Sequence, residues 1–209
     1  MSQEIRPQLL IATSNAGKVR EFRALLPELP FTVIGLDDLP RVPPPVAETG
    51  QTFSENAVLK AEYYHAKTGL LALADDSGLE VDALGGAPGI YSARFAGEAA
   101  SDADRIQKLL QALRDTPDAA RTARFVCSLA LTGEISSRRI REVFNGYAAG
   151  RITREPRGDG GFGYDPIFEE IDSGRTFAEL SREEKSTHSH RGRALALARG
   201  FLESISVRH

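Results

Sequence analysis

The run Leu70-Leu71-Ala72-Leu73-Ala74 enters directly into Asp75-Asp76-Ser77-Gly78. Five apolar residues without alternation predict a strand buried on both faces, as in the central sheet of an α/β protein. Two adjacent carboxylates after it repel one another unless a cation or ligand compensates. Ligands in α/β folds collect at strand C-termini, so the pair is expected to close a strand and hold a divalent cation. An Asx turn before Gly78 is the alternative.

Other elements follow the same logic. Leu9-Leu10-Ile11-Ala12 predicts a first strand, and Val19, Phe22 and Leu25-Leu26 a helix ended by Pro27. Phe31–Ile34 predicts a second strand. Thr52-Phe53-Ser54-Glu55 is a capping signature for a helix to about Lys67, with Gly69 as its stop. Ser101 and Asp104 cap another, lined by Ile106, Leu109, Leu110 and Leu113. Arg124–Leu131 and Ile140–Tyr147 predict a hairpin turning through Gly133, and a last helix follows His190. The expectation is α/β with a mixed sheet. Pro43-Pro44-Pro45 is the one linker-like stretch and is too short to separate independent domains.

Composition narrows the function. A net charge of -3 leaves no broad basic face for a nucleic-acid polymer, but allows a local basic pocket. The single Cys127 lies in an apolar strand, which places it in the core and excludes an internal disulfide. No apolar stretch approaches the ~20 residues that span a bilayer, and Glu4, Arg6 and Pro7 interrupt any signal-like run. A soluble, cytoplasmic protein is expected.

Four further polar clusters stand where a core would not need them. Thr13-Ser14-Asn15-Ala16-Gly17-Lys18 joins strand to helix, where free N–H groups and a lysine suit phosphate, or where an ordinary N-cap forms. It is not a P-loop, because Ala12 and Val19 replace the glycine and hydroxyl that motif requires. Glu48 precedes the capped helix on which Asn56 and Lys60, four apart, share a face; taken alone, a capped helix with a solvated polar face is the preferred reading of this cluster. Gly158–Gly163 contains GxGxxG, but Asp165-Pro166 follows where a dinucleotide fingerprint needs a helix. Its aromatics, Phe162 and Tyr164, suit a purine platform or decorate a surface loop. Lys185, His190 and Arg191 precede a helix and suit phosphate or base contacts. His188 and His190 form a His-x-His pair with no third metal ligand. Carboxylates for a hard cation, dispersed cations and an aromatic glycine loop together describe a Mg²⁺–nucleoside-phosphate site, with a di- or triphosphate suggested by the number of cations. A non-catalytic nucleotide binder and an RNA-binding module are the competing readings; the charge counts against the second.

The segments Thr13–Lys18, Phe53-Ser54-Glu55-Asn56-Ala57, Ala74–Leu79, Pro88–Gly97, Gly161–Phe168 and Ser189–Gly192 closely resemble, in order and spacing, the Ham1/RdgB family of inosine/xanthosine triphosphate pyrophosphatases. Phe95 stands where tyrosine is common. The resemblance covers about residues 8 to 205. It implies hydrolysis of ITP, dITP and XTP to the monophosphate and pyrophosphate with Mg²⁺ (Mn²⁺ as an alternative), clearing deaminated purines from the nucleotide pool. It also implies a homodimer whose chain is one domain over residues 1–209, with 1–7 a flexible extension. The implied fold is an elongated mixed sheet flanked by helices, in two lobes with a substrate cleft between them. Carried over by position, Thr13, Ser14, Asn15, Ala16, Gly17 and Lys18 hold the triphosphate with Lys60. Glu48 and Asp76 hold the metal with Asp75 beside them, and Asp76 is the catalytic base. Ser77, Phe162, Gly163, Tyr164, Asp165, Lys185, His190 and Arg191 contact substrate. A pocket donating to the 6-oxo group would leave its donors unpaired against adenine, at about 1–3 kcal/mol each.

Overall fold

The computed structural model describes residues 6–26, 29–135 and 137–206. Its sheet has six strands in the order β2-β1-β3-β4-β5-β6. The parallel part comes first. β1 (Gln8–Ile11) lies between β2 (Thr32–Gly35) and β3 (Leu71–Val81), parallel to both, with Leu10 opposite Ile34 on one side and Ala72 on the other. Parallel neighbours need crossovers, and α1 (Ala16–Leu25) and α2 (Phe53–Thr68) supply them. Alanines 57 and 61 of α2 pack with Leu10, Ala72, Ala74 and Ala130, small residues that let helix and sheet approach closely. Thr52 caps α2, its side chain accepting from the Glu55 N–H, and left-handed Gly69 ends it, both as expected from the sequence. Pro27, the expected stop of α1, lies outside the described residues. So do residues 1–5 of the expected extension. Pro7 already joins the fold, its carbonyl accepting from the Thr32 N–H at 2.9 Å.

The antiparallel part departs from expectation in extent. β4 (Thr122–Ile135) and β5 (Arg138–Ile152) are far longer than the apolar runs that signalled them. Ser137, between the two strands, has φ 65°, and Gly133 is not the turning residue. Gly133 lies within β4, where an added Cβ would stand 2.9 Å from the Leu71 Cα; close backbone approach, not turning, selects glycine there. β6 (Phe168–Glu170) pairs antiparallel with β5, Ile152 opposite Phe168. The remaining helices are α3 (Asp102–Ala112), α4 (Arg182–His188) and α5 (His190–Ser206). A capping box on Ser101 opens α3, as its sequence predicts. α4 was not anticipated.

The chain forms two compact units. One comprises Met1–Asp76, Ser128–Asn145 and Ala194–His209, the other Ser77–Cys127 and Gly146–Arg193. The divisions fall inside β3, β4, β5 and α5, and none falls in the proline-rich stretch. The second unit has its own core, in which Leu79, Ile106, Leu109, Phe125, Phe168 and Phe177 are buried.

Candidate functional site

In the first unit the site is built on β3. This strand does not stop before the carboxylates: it runs through Asp75, Asp76, Ser77 and Gly78 to Val81. The expected strand end is thereby corrected, and the Asx turn with it. Aspartate and glycine disfavour strands locally, but ladder pairing and burial on both faces override that preference. Successive strand residues project to opposite faces, so the two aspartates are served by different helices. Asp75, 2% exposed, forms an ion pair with Lys18 of α1. Asp76, 7% exposed, lies 3.2 Å through Oδ1 from Lys60 Nζ of α2. Lys60 reaches Glu48 Oε1 at the same 3.2 Å.

Burial pushes the Asp76 carboxyl above the usual range; Lys60 and Lys18 oppose the shift, and Glu48 and Asp75 add to it. Burial also works against the Lys60 charge, yet Asp76, Asp75 and Glu48 together hold its pKa above the ordinary lysine value. Asp76 Oδ2 is buried and has no hydrogen-bond partner among the described residues. An orphaned carboxylate oxygen beside a second carboxylate fits a hard, oxygen-seeking cation such as Mg²⁺.

The Thr13–Lys18 segment does join strand to helix. Asn15 caps α1 by accepting from the Lys18 N–H at 3.1 Å, and the Asn15 N–H donates to Thr13 Oγ1 at 3.2 Å. The capping reading is therefore realised, with Lys18 left at the first turn to meet Asp75.

In the second unit, Asp165 organises the glycine loop. Its Oδ2 accepts from the Phe162 N–H at 2.8 Å and from Lys185 Nζ at 2.7 Å. Lys185 stands 4.9 Å above the Phe162 ring and the Arg191 guanidinium 5.8 Å from it. Arg191 Nη2 donates to Ser77 Oγ at 2.9 Å. His190 stacks on Phe125 with ring centroids 4.6 Å apart. Lys185 belongs to α4, and His190 and Arg191 open α5; all three are buried. Ser77, Phe162, Asp165, Lys185 and Arg191 are thus drawn together from four separate stretches of chain.

Tyr164 differs from its expected role as an exposed ring. It is 4% exposed, and its hydroxyl donates to the Ser92 carbonyl at 2.9 Å; burial pushes its phenol pKa well up. The ring is an anchor for the loop. Gly163 is held likewise, its N–H donating to Asp102 Oδ2 at 2.7 Å. Sequence reasoning missed Ser92 and Asp102 as loop supports, since Asp102 reads only as a helix-start residue. The histidine pair diverges: His188 Nδ1 lies 3.5 Å from Glu170 Oε2, while His190 stacks on Phe125. Glu170, Asp172 and His188 present ligand atoms within 4.8 Å of one another, but Arg193 already stands 3.8 Å from Glu170 and 3.6 Å from Asp172.

Comparison with known proteins agrees on kinship. The model of the Ham1 family matches residues 9–201. The chain is 53% identical over 190 residues to the dITP/XTP pyrophosphatase of Shigella flexneri, covering 91% of this chain and 95% of the relative. It is 52% identical over 195 residues to that of Geobacter sulfurreducens, covering 93% and 96%. A HAM1 protein structure from Coxiella burnetii superposes with TM-score 0.84 at 43% identity, over 95% of this chain and 99% of that one. The Staphylococcus aureus Ham1 protein gives 0.80 at 43% identity, over 94% and 98%. The chain belongs to the Ham1 family.

Proposed function

We propose that this chain hydrolyses non-standard purine nucleoside triphosphates (ITP, dITP and XTP) to the nucleoside monophosphate and pyrophosphate. The observation that carries the reading is the pairing on β3 of two buried aspartates with two lysines from two helices, Lys18–Asp75 and Lys60–Asp76, beside Glu48. The names of the relatives support the substrate class.

In this reading Thr13 to Lys18 and Lys60 bind the triphosphate. Both lysines have carboxylate partners, so incoming phosphate oxygens replace one set of anions with another at little cost in cation desolvation. Glu48 and Asp76, with Asp75 beside them, would hold Mg²⁺, which when bound neutralises charge on the phosphate chain. Asp76 takes the proton of the water that attacks the α-phosphorus. Its raised pKa makes it a better proton acceptor than an exposed aspartate. As the bond to pyrophosphate breaks, Lys18 and the α1 amides face the leaving oxygens from fixed positions.

The second unit's residues are assigned to the purine. Phe162 stacks on the ring, and His190 or Arg191 donates to the 6-oxo group, which adenine lacks. Arg191 is oriented for such a task by its bond to Ser77. The test is incubation of the purified protein and Mg²⁺ with ITP, dITP, XTP, GTP and ATP, with products identified. Pyrophosphate and monophosphate are expected from the 6-oxo, non-guanine substrates. Orthophosphate release, or equal rates on ITP and ATP, overturns the proposal.

A further inference from the structure

Glu48 lies on an irregular segment, yet it must meet Lys60 and Asp76 in a fixed place. The residue that secures this segment is Asn56. It stands one turn before Lys60 on α2 and is 1% exposed. Its Oδ1 accepts from the Gly50 N–H at 2.8 Å, which identifies that atom as oxygen, since an amide nitrogen cannot accept from a backbone donor. Its Nδ2 is buried with no hydrogen-bond partner among the described residues. Burying an unpaired amide is unfavourable, and an alanine at this buried position would escape that cost. The asparagine is explained by its carbonyl end, and that end touches the backbone two residues from Glu48. Gly50 is fitted to the same contact: an added Cβ would stand 2.7 Å from Asn56 Oδ1 and 2.7 Å from the Glu55 Cβ. Glu55 Oε2 takes the neighbouring Gln51 N–H at 2.6 Å. The first turn of α2 thus grips two consecutive amides, and Lys60, one turn on, receives the Glu48 carboxylate.

We propose that Asn56 is a positioning residue which, through the Gly50 amide, sets Glu48 for cation binding. The inference rests on the reading above that Glu48 and Asp76 hold the metal. A side chain fixed by supporting hydrogen bonds holds its ligand in productive geometry, and loss of such support weakens metal affinity without removing a ligand. The backbone contact removed by Asn56→Ala corresponds to about a fivefold to tenfold rise in half-saturating Mg²⁺.

The experiment compares the parent with Asn56→Ala, Gly50→Ala, Glu48→Gln and Asn56→Ala/Glu48→Gln. The half-saturating Mg²⁺ concentration for ITP hydrolysis is measured in each, and Mn²⁺ binding without nucleotide is followed by electron paramagnetic resonance. Asn56→Ala and Gly50→Ala should both raise the half-saturating concentration and weaken Mn²⁺ binding, with kcat at saturating Mg²⁺ largely retained. The double variant should match Glu48→Gln alone, since the asparagine acts through the glutamate. A purely structural asparagine would instead lower the active fraction at every Mg²⁺ concentration and leave half-saturation and Mn²⁺ affinity per folded molecule unchanged, and that result overturns the proposal. So does an additive double variant. If Asn56→Ala does not fold, Gly50→Ala decides alone, because it disturbs the same contact from the other side. Should Glu48→Gln itself leave metal dependence unchanged, the assignment of Glu48 as a ligand fails, a result distinct from failure of Asn56 alone.

Discussion

The two clusters of candidate residues, one half of the set in each unit, neutralise charge in different ways. In the first unit, charge meets charge along one strand: Lys18 with Asp75, and Lys60 with both Asp76 and Glu48. In the second, an ion pair is set against aromatic surface: Lys185 bonds Asp165 while facing the Phe162 ring, and Arg191 bonds a hydroxyl near the same ring. The first arrangement suits a ligand that brings its own charge and exchanges partners. The second suits a flat, neutral ligand that stacks and is told apart by single hydrogen bonds. Chemistry and selectivity should therefore be separable by substitution.

The largest effect is expected at Asp76. Asp76→Asn removes the proposed base and a metal ligand, and kcat on ITP should fall at least about 10²–10⁴-fold, with the ITP-to-ATP preference of the residual activity preserved. Steady-state kinetics on both nucleotides checks this. A variant that lost preference along with rate would join the two halves into one function. Lys18→Ala comes next. Loss of one charged hydrogen bond corresponds to about 1.5–3 kcal/mol, so ITP should bind roughly tenfold to a hundredfold more weakly while IMP loses much less, as read by calorimetry. Equal losses would take Lys18 off the phosphate chain. Phe162→Ala should cost about 1–3 kcal/mol of stacking, seen as roughly a tenfold rise in KM for ITP with half-saturating Mg²⁺ unchanged. A shift in metal dependence there would break the comparison from the other side.

The two halves also differ in how far the sequence discloses them. Local rules carry the first. Thr52 and Gly69 mark the ends of α2, Asn15 caps α1, and the Lys60 position follows from helix spacing. The exception is the course of β3 through Asp75 and Asp76, where turn-like residues are overridden by their place in a buried central strand and by ion pairs with Lys18 and Lys60. The second half depends on contacts no local pattern encodes. Lys185 meets Asp165 across 20 residues, and Arg191 meets Ser77 across 114. Tyr164 looked like a partner for Phe162, but the three-dimensional fold buries it against Ser92. Motif resemblance named these residues; only the packing distinguishes the ring left near two cations from the ring that anchors the loop.

The smallest expected effect is on stability, and it runs opposite to the effect of Asp76→Asn on activity. The Asp76 carboxyl is held above the ordinary range mainly by burial. A carboxyl whose folded pKa exceeds its unfolded value stabilises the fold only while protonated, and that contribution is lost as pH rises through the folded pKa. Above that pKa the metal-free parent carries the unfavourable charged form. Asp76→Asn keeps the shape without the charge, and leaves Lys60 its contact with Glu48. The variant should unfold a few degrees above the parent at pH 7.5, at about 2–4 °C per kcal/mol for a chain of this size. The gain should shrink as pH falls and the parent's Asp76 takes up its proton. Thermal unfolding of both proteins in chelator across this pH range measures it. A lower midpoint for the variant at pH 7.5 would mean that the Lys60–Asp76 pair stabilises the fold more than burial of the carboxylate opposes it. The charges of the first half would then be structural before they are catalytic, and the contrast with the second half would lose its basis.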